Sequence, residues 1–93
     1  MKLPICLISV GVGLGYADAG PTHYSTEDFS CFRSIVGSSV YTPSDVSTTK
    51  LIAQEMLNDP KFSYVRLDRE ILPNHQSETT AKDYEKGYKI FGN

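Results

Sequence analysis

The sequence predicts an α/β fold, an open parallel sheet with flanking helices. Residues 4–10 form a continuous apolar run, which is typical of a parallel strand buried on both faces. Two later segments carry apolar residues at three- and four-residue spacing, the pattern of amphipathic helices. Short β-prone segments at residues 39–41 and 62–67 alternate with them. Strands interleaved with helices in this way imply βαβ crossovers and a parallel sheet.

The first helix is predicted to follow residue 25. Ser25 has the right side chain for an N-cap, and Asp28 stands three positions later as a short-armed capping box. Gly37 is expected to end this helix. Its predicted apolar face is formed by Phe29, Phe32, Ile35 and Val36.

The second helix is predicted from a cap at Ser44 or Asp45 to about Leu57. The polar cluster of residues 58–60, which includes Pro60, indicates a turn before the last strand. Residues 71–82 are polar and show no clear period, and they are predicted to form a linker.

Length and charge limit the possible functions. A chain of 93 residues suits one domain. The net charge of −2 leaves no excess of Lys and Arg, which argues against a nucleic-acid or polybasic membrane surface. Cys6 lies in an apolar run and Cys31 in a helical pattern, so both are expected to be small buried thiols, in keeping with a reducing compartment.

The first nineteen residues allow an alternative. A basic start, an apolar stretch and small residues at Ala17 and Ala19 resemble a secretory signal, which would make the chain a small secreted non-enzymatic protein. The other interpretation is a buried strand that opens into a glycine-rich loop. The pattern described next crosses the supposed cleavage site without a break, which favours the strand.

The run Gly20-Pro21-Thr22-His23 places a histidine in the loop that leaves the first predicted strand. Ligands of open α/β sheets lie beyond the carboxyl ends of the strands, and a neutral imidazole there can donate to a developing oxyanion. His23 is therefore the strongest catalytic candidate. No metal-binding spacing is visible in the sequence.

From Leu3 to Arg69, and most specifically from Gly20 to Asp28, the sequence resembles the middle, pyrimidine-binding domain of transketolase-type enzymes. The resemblance implies that residues 1–70 are the second half of such a domain. It implies that residues 71–93 are a linker and the start of the following C-terminal domain, so that the chain is a fragment of an enzyme.

The resemblance also implies roles for individual residues. In the family, the histidine of this motif faces the reactive ring of the cofactor and the donor sugar, which makes His23 catalytic. An arginine just after the last strand, here Arg69, binds the substrate phosphate, and its planar fork suits that task. Arg66 is the rival, although its place inside the strand favours an outward salt bridge.

Two positions depart from the family pattern. Transketolases typically have an aspartate immediately before the Gly-Pro-Thr-His run, where it contacts a sugar hydroxyl. Here Ala19 holds that position and Asp18, one earlier, is the substrate-binding candidate. Gly11 stands where typical members have a histidine. These changes favour a divergent transketolase-like or deoxyxylulose-phosphate-synthase-like relative.

By resemblance, the chain is a segment of a cytoplasmic transferase of carbohydrate metabolism that is inactive alone. The expected reaction moves a two-carbon ketol unit between sugar phosphates. The expected cofactor is thiamine diphosphate, with Mg²⁺ bound by a domain absent from this chain. A dimer or a partner chain would supply the rest of the active site, and neither nucleic acid nor membrane is expected as a partner. The residues that bind the cofactor's pyrimidine are not identifiable in this sequence.

Overall fold

The computed structural model describes residues 3–74 and 80–87, and these contain three strands and two α-helices. The elements in chain order are β1 (Cys6–Val10), α1 (Asp28–Arg33), β2 (Ser39–Tyr41), α2 (Val46–Asn58) and β3 (Ser63–Leu67). Short 3₁₀ turns lie at Ala17–Ala19, Pro21–His23 and Ala81–Tyr84. The alternation of strands and helices confirms the predicted α/β class.

The strands form one parallel sheet in the order β1-β3-β2. In the β1–β3 register Val10 lies opposite Leu67, so both strands end at the same edge of the sheet. Residues 6–10, which lie within the supposed secretory signal, thus form a strand that is hydrogen-bonded to the central strand β3. The strand interpretation is therefore correct for residues 6–10, whereas the expected start at Pro4 and the expected burial are not observed.

The core is centred on β3. Tyr64 and Val65 are the buried hydrophobic residues among those that the structure describes, with 4% and 3% of their surfaces exposed. Phe32 of α1 stacks on Tyr64 at a ring-centroid distance of 3.8 Å and an interplanar angle of 11°. This contact fixes α1 against one face of the central strand, and such aromatic pairs contribute about 1 kcal/mol beyond burial.

Strand β1 is poorly covered. Its apolar side chains and those just before it remain substantially exposed: Leu3, Ile5, Leu7, Ile8 and Val10. The prediction that Cys6 and Cys31 are buried was wrong, because both thiols are exposed. For Cys6 the reason is that β1 itself is largely exposed; the contact of its sulfur with the Met56 sulfur at 3.6 Å does not bury it.

Helix α1 differs from the prediction. It begins at Asp28, and Glu27 at the N-cap position makes no side-chain cap. Ser25 is not the cap, because its backbone pairs with Gly13 and holds residue 25 in the preceding loop. The helix ends at Arg33, before Gly37. Val36 therefore lies beyond the helix and is 99% exposed rather than part of an apolar face.

Helix α2 follows the prediction. The buried Asp45 side chain accepts hydrogen bonds from the Thr48 amide at 2.8 Å and from the Thr48 hydroxyl at 2.7 Å. Asp45, and not Ser44, is thus the N-cap.

Neither described helix is long and apolar enough to cross a membrane.

The proposed division at residue 70 stays a prediction. Beyond β3, residues 75–79 and 88–93 of the expected linker and following domain lie outside the described residues. The turn at Ala81–Tyr84 lies near α2, where the Tyr84 hydroxyl is 3.4 Å from Oγ1 of Thr48.

Candidate active-site rim

The loop that follows β1 is fixed at both ends by backbone hydrogen bonds. The Gly11 amide donates to the Leu67 carbonyl at 3.0 Å and so continues the β1–β3 pairing. Gly13 and Ser25 then exchange two hydrogen bonds, at 3.0 and 2.8 Å, in an antiparallel bridge. The segment between them is a closed loop, which returns His23 to the carboxyl edge of the sheet.

Local backbone chemistry presents His23 at the surface. Gly20 has φ of +83°, a left-handed conformation that favours glycine, and Pro21 begins the 3₁₀ turn that ends at His23. The imidazole is exposed, and its Nδ1 lies 3.0 Å from Oγ1 of Thr22. That contact engages one of the two ring nitrogens and leaves the ring able to approach a ligand.

The structure brings Asp18 and Arg69 together. Nη1 of Arg69 lies 3.1 Å from Oδ1 of Asp18 and 3.3 Å from the Gly15 carbonyl oxygen, to which it donates. Arg69 follows β3 by two residues and Asp18 lies in the loop after β1, so the neighbouring strand ends explain the contact. Both side chains are well exposed, 43% for Arg69 and 74% for Asp18.

Tyr16 links this pair to His23. The Arg69 guanidinium carbon lies 4.8 Å from the centroid of the Tyr16 ring, and the His23 ring lies 6.1 Å from it at 52°. The three predicted site residues, His23, Asp18 and Arg69, are therefore neighbours at the carboxyl edge of the sheet. We call the surface that they form with Tyr16 the rim. Their chemical roles stay predictions.

Arg66 lies in a different environment from Arg69. Its Nε lies 2.8 Å from Oδ2 of Asp28, but it is not aligned to donate a hydrogen bond there, so the contact is an ion pair. With 15% of its side chain exposed, Arg66 does not form the outward salt bridge that the sequence suggested. Arg66 therefore lies in the interior, and Arg69 is the arginine at the rim.

Asp28 is the centre of this inner network. Oδ2 accepts a hydrogen bond from the Tyr64 hydroxyl at 2.7 Å, in addition to its ion pair with Arg66. Burial raises the pKa of the Asp28 carboxyl, but hydrogen bonds, with that of Tyr64 the strongest, and the charge of Arg66 outweigh it, so the pKa lies below its ordinary value. Asp28 is thus held ionised, as a structural anion at the first position of α1.

Sequence reasoning missed Tyr16 and the partners of Asp28. An aromatic side chain in a loop otherwise rich in glycine and alanine is a visible signal, but its neighbours depend on the fold. The link from Asp28 to Tyr64 and Arg66 spans more than 35 residues of chain and has no local signature.

His23, Asp18 and Arg69 are all exposed at the surface. A groove of about 860 Å³ lies elsewhere, between β2, α2 and the turn at Ala81–Tyr84, and its lining includes none of His23, Asp18 and Arg69. Within residues 3–74 and 80–87, no group of three His, Cys, Asp or Glu side chains could hold a metal ion.

Comparisons with known proteins identify the family of the chain. Residues 1–75 match the family model for the transketolase pyrimidine-binding domain. Over 68 residues the chain is 28% identical to one of the subunits of apulose-4-phosphate transketolase from Phocaeicola vulgatus. That stretch is 73% of this chain and 22% of that protein, so the chain spans about a fifth of the relative's length. No solved structure matches.

Proposed function

Because the chain belongs to the family of transketolase pyrimidine-binding domains, we propose that it is a segment of a cytoplasmic transketolase-like enzyme. This enzyme transfers a two-carbon ketol unit between sugar phosphates with thiamine diphosphate as cofactor. The observation that carries the proposal is the grouping of His23, Asp18 and Arg69 at the carboxyl edge of the parallel sheet. Ligands of open α/β sheets bind at that edge.

The residues of this chain fit one side of the cofactor site. His23 is exposed at the rim, where it can face a reacting group, whereas the described residues offer no cluster of ligands for Mg²⁺. As the family resemblance implies, we propose that the diphosphate and the metal ion are held by polypeptide outside this chain. When bound, thiamine diphosphate supplies a nucleophilic carbon that accepts the two-carbon unit and passes it on.

His23 acts as a hydrogen-bond donor to the substrate. The ring stands at the surface of a loop closed by the Gly13–Ser25 bridge, which limits its movement. A donor fixed before the reaction stabilises the negative charge that develops on a carbonyl oxygen, and removal of one such donor lowers kcat about 10²–10³-fold in other enzymes.

Arg69 binds the phosphate of the sugar and Asp18 accepts from a sugar hydroxyl. The two side chains contact each other at 3.1 Å, but an ion pair this exposed contributes only about 0.2–1 kcal/mol. Arg69 can therefore exchange its contact with Asp18 for one with a phosphate at little cost while its guanidinium stays over the Tyr16 ring. The planar guanidinium then donates two parallel hydrogen bonds to phosphate oxygens.

A partner polypeptide completes the site. The similar protein from Phocaeicola vulgatus is itself a subunit of a transketolase, and the matched residues make up 22% of it. Among the strands that the structure describes, β1 is paired on one side only and carries exposed apolar side chains, whereas parallel sheets are normally covered on both faces. We therefore propose that the chain is inactive alone and works beside a second chain or a second copy.

The direct test is an assay of ketol transfer. The chain is isolated with the polypeptide that accompanies it and supplied with thiamine diphosphate, Mg²⁺, a ketose phosphate and an aldose phosphate. We expect transfer, and His23→Ala should lower kcat by about 10²-fold or more. Transfer that is unchanged by this substitution would contradict the role of His23. No transfer by the complete assembly would point to a noncatalytic relative that keeps the fold.

The role of Arg69 is tested with paired substrates. In Arg69→Gln, KM for phosphorylated sugars should rise about tenfold or more, while KM for the unphosphorylated sugars should change little. Arg33→Gln is the matched control, because Arg33 is an exposed arginine at the end of α1, over the Phe29 ring. Equal losses with both kinds of substrate would contradict phosphate binding by Arg69.

A further inference from the structure

The ring of Tyr16 occupies the space beside Gly11. A Cβ atom added to Gly11 would overlap the ring at Cδ2 and Cε2. Gly11 is itself buried, directly after β1, and has φ of +91°. The absence of a side chain at residue 11 therefore lets the aromatic ring pack against the end of the strand.

The Tyr16 ring also contacts two of the predicted site residues at the rim, Arg69 and His23. One neighbour is the Arg69 guanidinium, 4.8 Å from the ring centroid, a cation–π distance. The other is the His23 imidazole, 6.1 Å away and tilted by 52°. Asp18 and the Gly15 carbonyl hold the Arg69 Nη1 as well. Arg69 is thus held by Tyr16, by a carboxylate and by a backbone oxygen.

We infer that Tyr16 is a positioning residue, which sets the distance between the Arg69 guanidinium and the His23 imidazole. Gly11 supplies the space that the ring needs. The inference rests on the proposed function only for what Arg69 and His23 do to a substrate; the arrangement of the three side chains is independent of it.

Rigidity of the Tyr16 ring is what makes this role possible. Arg69 lies on the segment after β3, and His23 lies on the loop after β1, twelve residues beyond Gly11. Arginine carries about 2 kcal/mol of side-chain entropy, so an exposed guanidinium held only by an exposed carboxylate would sample many positions. An aromatic ring packed on the strand end is a fixed surface for both groups. A phosphate and a reacting carbon of one substrate require such a fixed spacing.

Nuclear magnetic resonance of the full chain, with any polypeptide that copurifies with it, tests the inference. In the wild-type protein the Tyr16 ring protons should give nuclear Overhauser effects to both Arg69 and His23. The side-chain protons of those two residues should also show ring-current shifts. Tyr16→Phe should keep these shifts and Tyr16→Leu should abolish them. Absence of both Overhauser contacts in the wild type would overturn the inference without any variant.

A second variant, Gly11→Ala, tests the position of the Tyr16 ring without changing Tyr16 itself. Gly11→Ala should displace Tyr16 and abolish the same ring-current shifts. Gly37→Ala is the matched control, because Gly37 has φ of +82° and open space where a Cβ would lie, so it reproduces the backbone strain without the overlap. Loss of the shifts in Gly11→Ala but not in Gly37→Ala is the expected result. Equal behaviour of the two variants would contradict the inference.

Titration with inorganic phosphate separates this inference from the proposed function. Phosphate should perturb the Arg69 side-chain resonances in the wild type, with an affinity that falls several-fold in Tyr16→Leu and is restored in Tyr16→Phe. If the wild type shows the ring contacts but no phosphate binding, the proposed role of Arg69 fails and the position of Tyr16 stands. If phosphate binds equally to wild type and Tyr16→Leu, the positioning role fails and the proposed role of Arg69 stands.

Discussion

At the scale of single residues, Asp28 shows how the fold can reassign a side chain. In the sequence it looked like half of a capping box, whereas in the structure its carboxylate accepts from the Tyr64 hydroxyl and pairs with Arg66. A local motif predicts only local partners, and it could not show that two residues of the central strand meet at the same oxygen of this carboxylate. The result ties α1 to β3 by charge as well as by the Phe32–Tyr64 stack.

Asp28→Asn should destabilise the protein. The substitution leaves the largely buried Arg66 without its counter-charge and weakens the hydrogen bond from Tyr64, which together should lower the free energy of unfolding by about 2 kcal/mol. Asp59→Asn is the control, because the exposed Asp59–Lys61 pair should contribute less than about 1 kcal/mol. Urea unfolding followed by circular dichroism measures both. Equal small losses would show that the inner network adds little.

The contribution of Asp28 should depend on pH. Its pKa is lower in the folded than in the unfolded protein, so its stabilisation is complete above the unfolded pKa of about 4 and is lost as pH falls through the folded pKa. The gap in unfolding free energy between wild type and Asp28→Asn should therefore be constant from pH 7 to about 5 and shrink at more acidic pH. A gap that is unchanged down to pH 3, or that widens there, would contradict this assignment.

At the scale of elements, the helices differ in how well their own residues specify them. Asp45 and Thr48 make a self-contained cap within four residues, so the start of α2 could be predicted from the sequence. The start of α1 could not, because the Gly13–Ser25 bridge moves it to Asp28. Local chemistry decides the first boundary and tertiary pairing decides the second.

Asp45→Ala should loosen the start of α2. Loss of the hydrogen bonds from the Thr48 amide and hydroxyl should lower the free energy of unfolding by about 1–2 kcal/mol. Ser44→Ala, at the exposed neighbouring position that could also have been the cap, should change it by less than about 0.5 kcal/mol. Thermal unfolding followed at 222 nm compares them. Equal effects at both positions would mean that Asp45 is not the cap that matters.

At the scale of the whole molecule, the sequence was sufficient for the α/β class and the parallel sheet. The continuous apolar run of β1 and the helical spacing of α2 are properties of consecutive residues. The rim was harder to foresee, because Asp18 and Arg69 are 51 residues apart in sequence and meet only when β1 and β3 pair. The exposed Cys6 was missed for a related reason, since an apolar run predicts burial only where something covers the strand.

The surface of the molecule indicates missing cover. Exposed large apolar side chains include Leu7, Ile8 and Val10 of β1, which is one of the two edge strands of the described sheet. A two-residue hydrophobic core within the described part of the chain is small for an independent domain. The amino-acid composition is that of a globular protein, but the described residues bury less hydrophobic surface than an independent domain does.

Strand β1 is expected to be a site of association. The isolated chain should be marginally stable or should self-associate, because an uncovered apolar edge strand invites pairing. Ile8→Lys, at a β1 position that is 62% exposed, should reduce self-association in sedimentation velocity; Val36→Lys, at a 99% exposed position outside the sheet, should not. A partner that covers β1 should raise the unfolding temperature of the wild type and of Val36→Lys, but raise that of Ile8→Lys much less. A monomeric wild type with a cooperative transition at high temperature would show that the sheet needs no cover.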